Sequence, residues 1–197
     1  MLQAADLGYR HCMNLLDQLR DTDRILTKGA ASRIPAGPAK ALSAVEEAAE
    51  SSKLWCAAAG VMAAWGGWRG RRAAAAGVTA LVVAQLVSNG MGKQITGRRR
   101  PPKEWIPHDE VEDRPDSSSF PSGHTAAAVA FTAAVAPTWP LAGAVCAVPA
   151  AAVAVERVQS GAHYPSDVAA GAAIGLATAW LTHRAPRLLL RRWLISR

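Results

Sequence analysis

No aspartate, glutamate, lysine or arginine occurs between Ser117 and Val155. A helix that crosses a membrane needs roughly 20 mainly apolar residues, so this uncharged stretch is long enough for about two spans. The tetrapeptide Pro137-Thr138-Trp139-Pro140 lies in its middle and predicts the turn of a helical hairpin. A soluble domain of this size rarely contains so long a stretch without charge, which favours a membrane protein.

Three further segments also lack charged residues, and they bring the predicted number of membrane spans to five. These segments are Leu54–Trp68, Ala73–Met91 and Val168–Leu181. Small residues such as alanine and glycine are abundant in them and suit close packing of helices in lipid. We therefore expect an all-α integral membrane helical bundle. The alternative is a soluble all-α bundle whose core helices are rich in alanine.

Cysteine is scarce as well. The sequence contains 3 cysteines, Cys12, Cys56 and Cys146, and they form no CxxC pattern. An odd number of widely separated cysteines argues against a disulfide framework and against a zinc site. Residues 1–20 lack a continuous apolar core, so no signal peptide is predicted.

The net charge of +7 raises the question of an anionic partner. Nucleic-acid-binding proteins carry a basic patch, often interleaved with aromatic side chains, and no such patch is present. The basic residues are instead scattered at the ends of the predicted spans. Anionic lipid head groups explain that distribution better, so we expect anionic lipids as partners and no nucleic acid.

The chain divides into three parts by composition. Residues 1–50 form an amphipathic N-terminal helical region, residues 51–184 the membrane-embedded core, and residues 185–197 a basic C-terminal tail. The amphipathic region either lies in the membrane interface or packs on an extramembrane face of the protein.

Basic residues in short loops predict how the protein is oriented in a cell membrane. Three arginines join the first two spans, and the segment 183–197 contains several more. We therefore expect a multi-pass protein with both of these regions in the cytoplasm. The loops 92–121 and 156–167 then lie together on the extracytoplasmic side.

Three short patterns fall in those outer loops: KQITGRRRP at 93–101, PSGH at 121–124 and RVQSGAHYPSD at 157–167. Taken singly, each has an ordinary explanation, because cations at span ends extend to the interface and serine caps helices. Together on one side they favour a phosphate site, since lysine, arginine and a helix N-terminus all bind phosphate oxygens. The predicted phosphate ligands are Lys93, Arg100, Ser122, Gly123 and Arg157.

Two histidines in these patterns suggest catalysis. His163 and Asp167 are four residues apart at a predicted helix start, where the carboxylate can orient the ring and make it a better nucleophile. His124, on the other side of the phosphate, can protonate the leaving oxygen. Three fixed cations take the place of Mg²⁺, so we expect neither a metal nor any other cofactor.

In this order and with these spacings, the three patterns resemble the type 2 phosphatidic acid phosphatase family of membrane lipid phosphatases. The resemblance covers Lys93 to Asp167 and the helix layout through residue 182. It implies a helical bundle, a phosphohistidine on His163, and His124 as general acid and then as base for water. The chain departs from the family in having Glu156 where a serine is usual, and in five predicted spans instead of six.

These observations leave three functions open. The first is a lipid phosphate phosphatase that hydrolyses a phosphomonoester or diphosphate of a membrane lipid at the outer face. The second is a vanadate-dependent haloperoxidase, and the third is a non-catalytic membrane protein that binds lipid phosphates. Polyprenyl phosphates or diphosphates, phosphatidylglycerol phosphate, phosphatidic acid and a polyprenyl sugar phosphate all qualify as substrates. The sequence predicts no oligomeric state.

Overall fold

The computed structural model describes residues 2–33, 35–92, 96–106 and 117–195, and within these ranges it contains helices and no strands. The α-helices are α1 (Leu2–Arg33), α2 (Ala36–Ala49), α3 (Lys53–Trp65), α4 (Gly67–Gln85), α5 (Gly123–Val135), α6 (Pro140–Gln159) and α7 (Pro165–Ile195). Short helical turns occur at Glu50–Ser52 and Lys103–Trp105, and a π-helix, Leu86–Gly92, continues α4.

Helix α5 lies at the centre of the bundle and packs against α4, α6 and α7. Five of its six alanines are buried, and the ring of Phe131 lies 5.4 Å from that of Trp55 on α3. Gly171 and Gly175 bring α7 close to α5. A Cβ atom at Gly171 would lie 2.4 Å from the Ser122 carbonyl oxygen, and one at Gly175 would lie 2.7 Å from that of Ala126. Only glycine permits this approach, which fixes the start of α7 beside the start of α5.

In the part of the chain that the structure describes, two helical stretches are long and apolar enough to cross a membrane, Gly67–Gly90 and Pro140–Gln159, while α5 is a shorter apolar helix. Large apolar side chains cover the outside of α6, where Leu141, Val145 and Val148 are all more than half exposed. Such an apolar outer surface suits contact with lipid. The predicted hairpin turn is confirmed, because α5 ends at Val135 and α6 begins at Pro140.

The predicted first span, Leu54–Trp68, is interrupted. Helix α3 ends at Trp65 and α4 begins at Gly67, whose φ of +55° is a conformation that glycine adopts without strain. The arginines expected in a loop therefore lie in the first turns of α4. Arg69 Nε donates a hydrogen bond of 2.8 Å to the Thr138 carbonyl, so this end of α4 meets the α5–α6 turn.

The N-terminal helices pack on the bundle itself. Helix α1 contacts α6 and α7, and α2 contacts α6. In residues 17–33 the buried face of α1 carries Asp23, Thr27 and Ala31, whereas the large apolar side chains of Leu19, Ile25 and Leu26 are exposed. Helix α1 therefore packs on the bundle and leaves exposed apolar side chains on its outside, and its placement in the membrane interface stays a prediction.

Candidate active site

Six of the predicted site residues lie where α5 begins, α6 ends and α7 begins, and Arg100 joins them from the segment 96–106. The Ser122 N–H donates to the Asp167 carbonyl at 3.0 Å, which ties the second pattern to the third. Arg100 Nη1 donates to the Ala162 carbonyl at 2.7 Å, next to His163, which ties the first pattern to the third. Lys93 lies outside the described residues.

Ser122 is the N-cap of α5. Its Oγ accepts a hydrogen bond from the Thr125 N–H at 3.4 Å and lies 2.9 Å from the Thr125 hydroxyl oxygen, and the residue is fully buried. A Cβ atom at Gly123 would lie 2.9 Å from Asn89 Oδ1, so the Asn89 side chain of the π-helix packs closely against this glycine. The N–H groups of the first turn of α5 belong to the positive end of the helix dipole, which favours an anion.

His163 is held from two directions. Its backbone N–H donates to the Arg157 carbonyl at 2.9 Å, and Gly161, with φ of +63°, allows the chain to turn back after α6. Its Nδ1 lies 2.5 Å from the Ser119 carbonyl oxygen. A carbonyl only accepts hydrogen bonds, so Nδ1 carries the proton and Nε2 keeps a lone pair.

The buried environment favours the neutral form of His163. Burial lowers the pKa of the ring and the positive charge of Arg100 adds to this, outweighing the raising effects of Asp167 and the Ser119 carbonyl. A neutral imidazole with an available Nε2 is the form that can act as a nucleophile.

Asp167 lies beside His163 without a hydrogen bond between their side chains. The distance from its Oδ2 to His163 Nδ1 is 3.9 Å, too long for a hydrogen bond, although the charge lies close to the ring. Oδ2 accepts the Tyr164 N–H at 2.9 Å, and Oδ1 accepts Arg98 Nη1 at 2.5 Å. Burial alone would raise the pKa of Asp167, but the contacts with His163, the Tyr164 N–H and Arg98 lower it, so Asp167 is a carboxylate.

A buried network behind Asp167 was not predicted. Arg98 bridges Asp167 and Asp23 of α1, with 2.7 Å between its Nη2 and Asp23 Oδ2. Asp23 also accepts hydrogen bonds from the N–H and the hydroxyl of Ser166, at 2.9 and 2.6 Å. The guanidinium of Arg98 lies 4.2 Å from the centre of the Tyr164 ring, a cation–π contact. The three consecutive arginines at 98–100 were the only sequence signal for Arg98, and none pointed to Asp23.

Carboxylates surround Arg157. Its Nη2 lies 2.5 Å from Glu156 Oε2 and 2.8 Å from Glu46 Oε1, and its Nε also donates to Glu156. The same Glu46 oxygen lies 3.8 Å from His124 Nε2. Glu156 stands where the family usually has a serine, whereas Glu46 comes from α2 and no sequence pattern indicated it.

An apolar groove of about 640 Å³ runs between α5, α6 and α7. Its lining is mostly alanine and includes Val129, Val168 and Leu176. Thr125 and Pro165 line the same groove, and Thr125 is bonded to Ser122 while Pro165 follows His163 by two residues. The groove therefore lies beside the polar site and between the helices.

The charged side chains of the site do not resemble a metal centre. In the part of the chain that the structure describes, no group of three or more His, Cys, Asp or Glu side chains could hold a metal ion. Burial and the nearby positive charge of Arg157 both lower the pKa of the Arg100 guanidinium. The two guanidinium groups are therefore close enough for their like charges to repel. Such an arrangement favours an anion between them.

Comparison with known proteins gives a family and a fold. A model of the PAP2 superfamily matches residues 73–191. A transmembrane PAP2-type phosphatidylglycerolphosphate phosphatase from Bacillus subtilis is similar in structure, with a TM-score of 0.64 and 20% identity over 86% of this chain and 87% of that one. LpxE from Aquifex aeolicus has a TM-score of 0.65 and 18% identity, over 81% and 93%. No curated protein matches. The predicted all-α membrane helical bundle is thereby confirmed.

Proposed function

The chain belongs to the PAP2 superfamily, and from this premise we propose that it is a metal-independent lipid phosphate phosphatase. The observation that carries the proposal is that an apolar groove lies beside the polar site, since Thr125 and Pro165 line the groove and neighbour residues of the site. A phosphate group suits the polar end and a hydrocarbon chain suits the groove. The phosphatidylglycerolphosphate phosphatase from Bacillus subtilis is named for such a lipid phosphate.

The proposed first step forms a phosphohistidine. His163 Nε2 attacks phosphorus, the bond between phosphorus and the lipid oxygen breaks, and the departing oxygen takes a proton from His124. The negative oxygens in the transition state are stabilised by Lys93, Arg100, Arg157 and the N–H groups at the start of α5. The hydrogen bond from His163 Nδ1 to the Ser119 carbonyl supports this role, because it leaves Nε2 unprotonated.

The second step restores the enzyme. Water attacks the phosphohistidine, His124 accepts a proton from that water, and the bond from phosphorus to Nε2 breaks to release inorganic phosphate. Asp167 assists throughout by placing a negative charge 3.9 Å from the ring, which stabilises the positive charge that develops on the imidazole.

We propose further that the protein crosses the cell membrane several times and that the site lies on the extracytoplasmic side. Helix α5 separates the two ends of the bundle by about 20 Å. The site lies at its start, whereas Arg69 contacts the turn at its other end and Arg71 and Arg72 follow in α4. If these basic residues are cytoplasmic, the site faces outward.

A second function is favoured by one observation, the pairing of Arg157 with two carboxylates. An arginine so neutralised holds phosphate less strongly, which would suit a non-catalytic protein that binds lipid phosphates. The two functions differ in turnover, so a measurement of product release separates them.

The experiment measures inorganic phosphate released by the purified protein in detergent, from phosphatidic acid, phosphatidylglycerol phosphate, and a polyprenyl mono- and diphosphate, with EDTA present. We expect release from at least one lipid, inhibition by vanadate, and a fall below about a tenth of the wild-type rate in His163→Ala, which corresponds to more than about 1.4 kcal/mol of barrier. The matched control is His183→Ala, because His183 bonds the Ala134 carbonyl away from the site. Absence of release from every lipid would favour the non-catalytic protein.

A further inference from the structure

Glu46 reaches the site from a helix outside the three sequence patterns. Its Oε1 is 2.8 Å from Arg157 Nη2 and 3.8 Å from His124 Nε2. One carboxylate oxygen therefore lies between a guanidinium assigned to phosphate binding and an imidazole assigned to the leaving group. Helix α2, which carries Glu46, packs on α6, and this explains how the side chain arrives there.

A carboxylate oxygen and a phosphate oxygen are chemically alike in this setting. Both are anionic acceptors, and arginine binds both in the same geometry. The position that Glu46 Oε1 takes at Arg157 is thus one that a phosphate oxygen would take. Both groups cannot occupy it together, because like charges at such distances repel strongly in a partly buried site.

Glu46 is held less firmly than the other carboxylate on Arg157. The Glu156 side chain is only 5% exposed, adjoins Arg157 in the chain and contacts both its Nε and its Nη2. The Glu46 side chain is 18% exposed and belongs to a separate helix. Burial raises the pKa of Glu46 against the opposing effect of Arg157, and the nearby Glu156, Glu50 and Glu47 raise it further. Its charge is therefore poorly accommodated, which favours its departure.

We propose that Glu46 is an internal anion that occupies the phosphate position at Arg157 in the substrate-free protein and is displaced when a phosphate group binds. This rests on the proposed function, since it assigns Arg157 to phosphate. The consequence is that the site binds any phosphate more weakly than its cations alone would allow. Inorganic phosphate, the product, has no hydrocarbon chain to hold it in the groove, so Glu46 would promote its release.

The test is the affinity of the full-length protein for inorganic phosphate, measured in detergent by isothermal titration without any lipid. Glu46→Gln keeps the shape of the side chain and removes its charge. We expect its Kd for phosphate to be lower than that of the wild type by about tenfold or more, as expected for the loss of one nearby like charge. The matched control is Glu47→Gln, which removes the same charge from the next residue of α2, an exposed one, and should leave the Kd within about twofold of the wild type.

A second variant, Glu46→Asp, tests the proposal if Glu46→Gln does not fold. Glu46→Asp keeps the charge but withdraws it from Arg157 by one methylene group, and we expect an intermediate gain in phosphate affinity. Unchanged or weaker phosphate binding in the Glu46 variants, or no binding by any of the proteins, would overturn the proposal. Because no turnover is involved, the outcome is separate from that of the proposed function: a wild type that binds phosphate but hydrolyses no lipid phosphate would contradict only the latter.

Discussion

The Ser119 carbonyl oxygen selects which ring nitrogen of His163 is available for chemistry. It accepts a hydrogen bond from Nδ1–H, with 2.5 Å between nitrogen and oxygen, which fixes the ring orientation and leaves the lone pair on Nε2. In many histidine nucleophiles or bases a carboxylate does this. Here the carboxylate of Asp167 is engaged by Arg98 and the Tyr164 N–H instead, so orientation and charge are supplied by two different groups.

The protonation state of His163 gives a prediction at this scale. Burial, aided by Arg100, lowers the pKa of the ring. Lowering the pKa of a base means that protonation occurs only at lower pH, so the ring should be neutral at pH 7 and become protonated below the ordinary value of about 6.5. NMR titration of the histidine ring protons, with His163→Ala to assign the resonance, measures this directly. A pKa at or above about 6.5 would contradict it.

Among the elements, α1 is connected to the site by a buried charge network. Asp23 is 4% exposed and binds both Arg98 and Ser166, and Arg98 in turn holds Asp167. Helix α1 thereby supports the carboxylate that lies beside the proposed nucleophile. A buried ion pair that loses one partner leaves an uncompensated charge, which is strongly destabilising.

We therefore predict that Asp23→Asn lowers the free energy of unfolding by about 3 kcal/mol and reduces kcat for a lipid phosphate about tenfold, with little change in KM. Asp17→Asn is the matched control, because Asp17 lies on the same helix in an exposed pair with Arg20. That pair contributes little to stability. Thermal unfolding in detergent and steady-state kinetics measure both effects. Equal behaviour of the two variants would show that α1 has no part in supporting the site.

The contact between α5 and α7 gives a second prediction for the elements. Adding a Cβ atom at Gly171 places it 2.4 Å from the Ser122 carbonyl oxygen, so the two helices must separate. Gly171→Ala should lower the free energy of unfolding by about 1–3 kcal/mol and reduce activity, because Ser122 and Asp167 sit at this junction.

Gly60→Ala provides the comparison for Gly171→Ala. A Cβ atom at Gly60, in α3, would meet nothing within 4 Å. Alanine also favours a helix over glycine, so this variant should be neutral or slightly more stable. Thermal unfolding of both variants in detergent, with activity in parallel, makes the comparison. If Gly171→Ala were as stable and as active as Gly60→Ala, the close approach of α7 to α5 would not be needed for stability or for activity.

At the scale of the whole molecule, the two ends of the bundle differ in chemistry. The proposed site lies at one end. The other brings Arg69 to the α5–α6 turn and exposes Trp65 and Trp68 beside it, and tryptophan is common at membrane interfaces. Apolar side chains on the outside of α6 and α7 lie between these ends.

This difference between the two ends predicts which positions react with a labelling reagent in intact cells. In a variant without the native cysteines, Arg99→Cys, at an exposed position near the site, should react with a membrane-impermeant maleimide added outside. Arg71→Cys, exposed at the opposite end, should react only after the cells are permeabilised. The reverse pattern would place the site in the cytoplasm, and reaction of both positions in intact cells would contradict a membrane-spanning bundle between them.

Several features could be predicted from the sequence because they depend on near neighbours in the chain. The absence of charge from Ser117 to Val155 predicted two helices, and the proline pair at Pro137 and Pro140 predicted the turn between them. Ser122 was expected to cap the helix that follows it, and it does. The break at Gly66 and Gly67 was missed, because an uncharged run is apolar whether or not it contains a glycine turn.

The sequence by itself determined the spacing within each pattern, the helical hairpin and the family. Only the tertiary structure decided which charges meet: Arg98 binds Asp167, Asp23 completes that network, and Glu46 lies against Arg157. Local spacing fixes neighbours three or four residues apart on one helix. Contacts between helices depend instead on which faces are buried, and in residues 17–33 of α1 the buried face carries Asp23 and Thr27 while Leu19, Ile25 and Leu26 are exposed. No periodicity distinguishes a helix of that kind from one whose apolar face points inward.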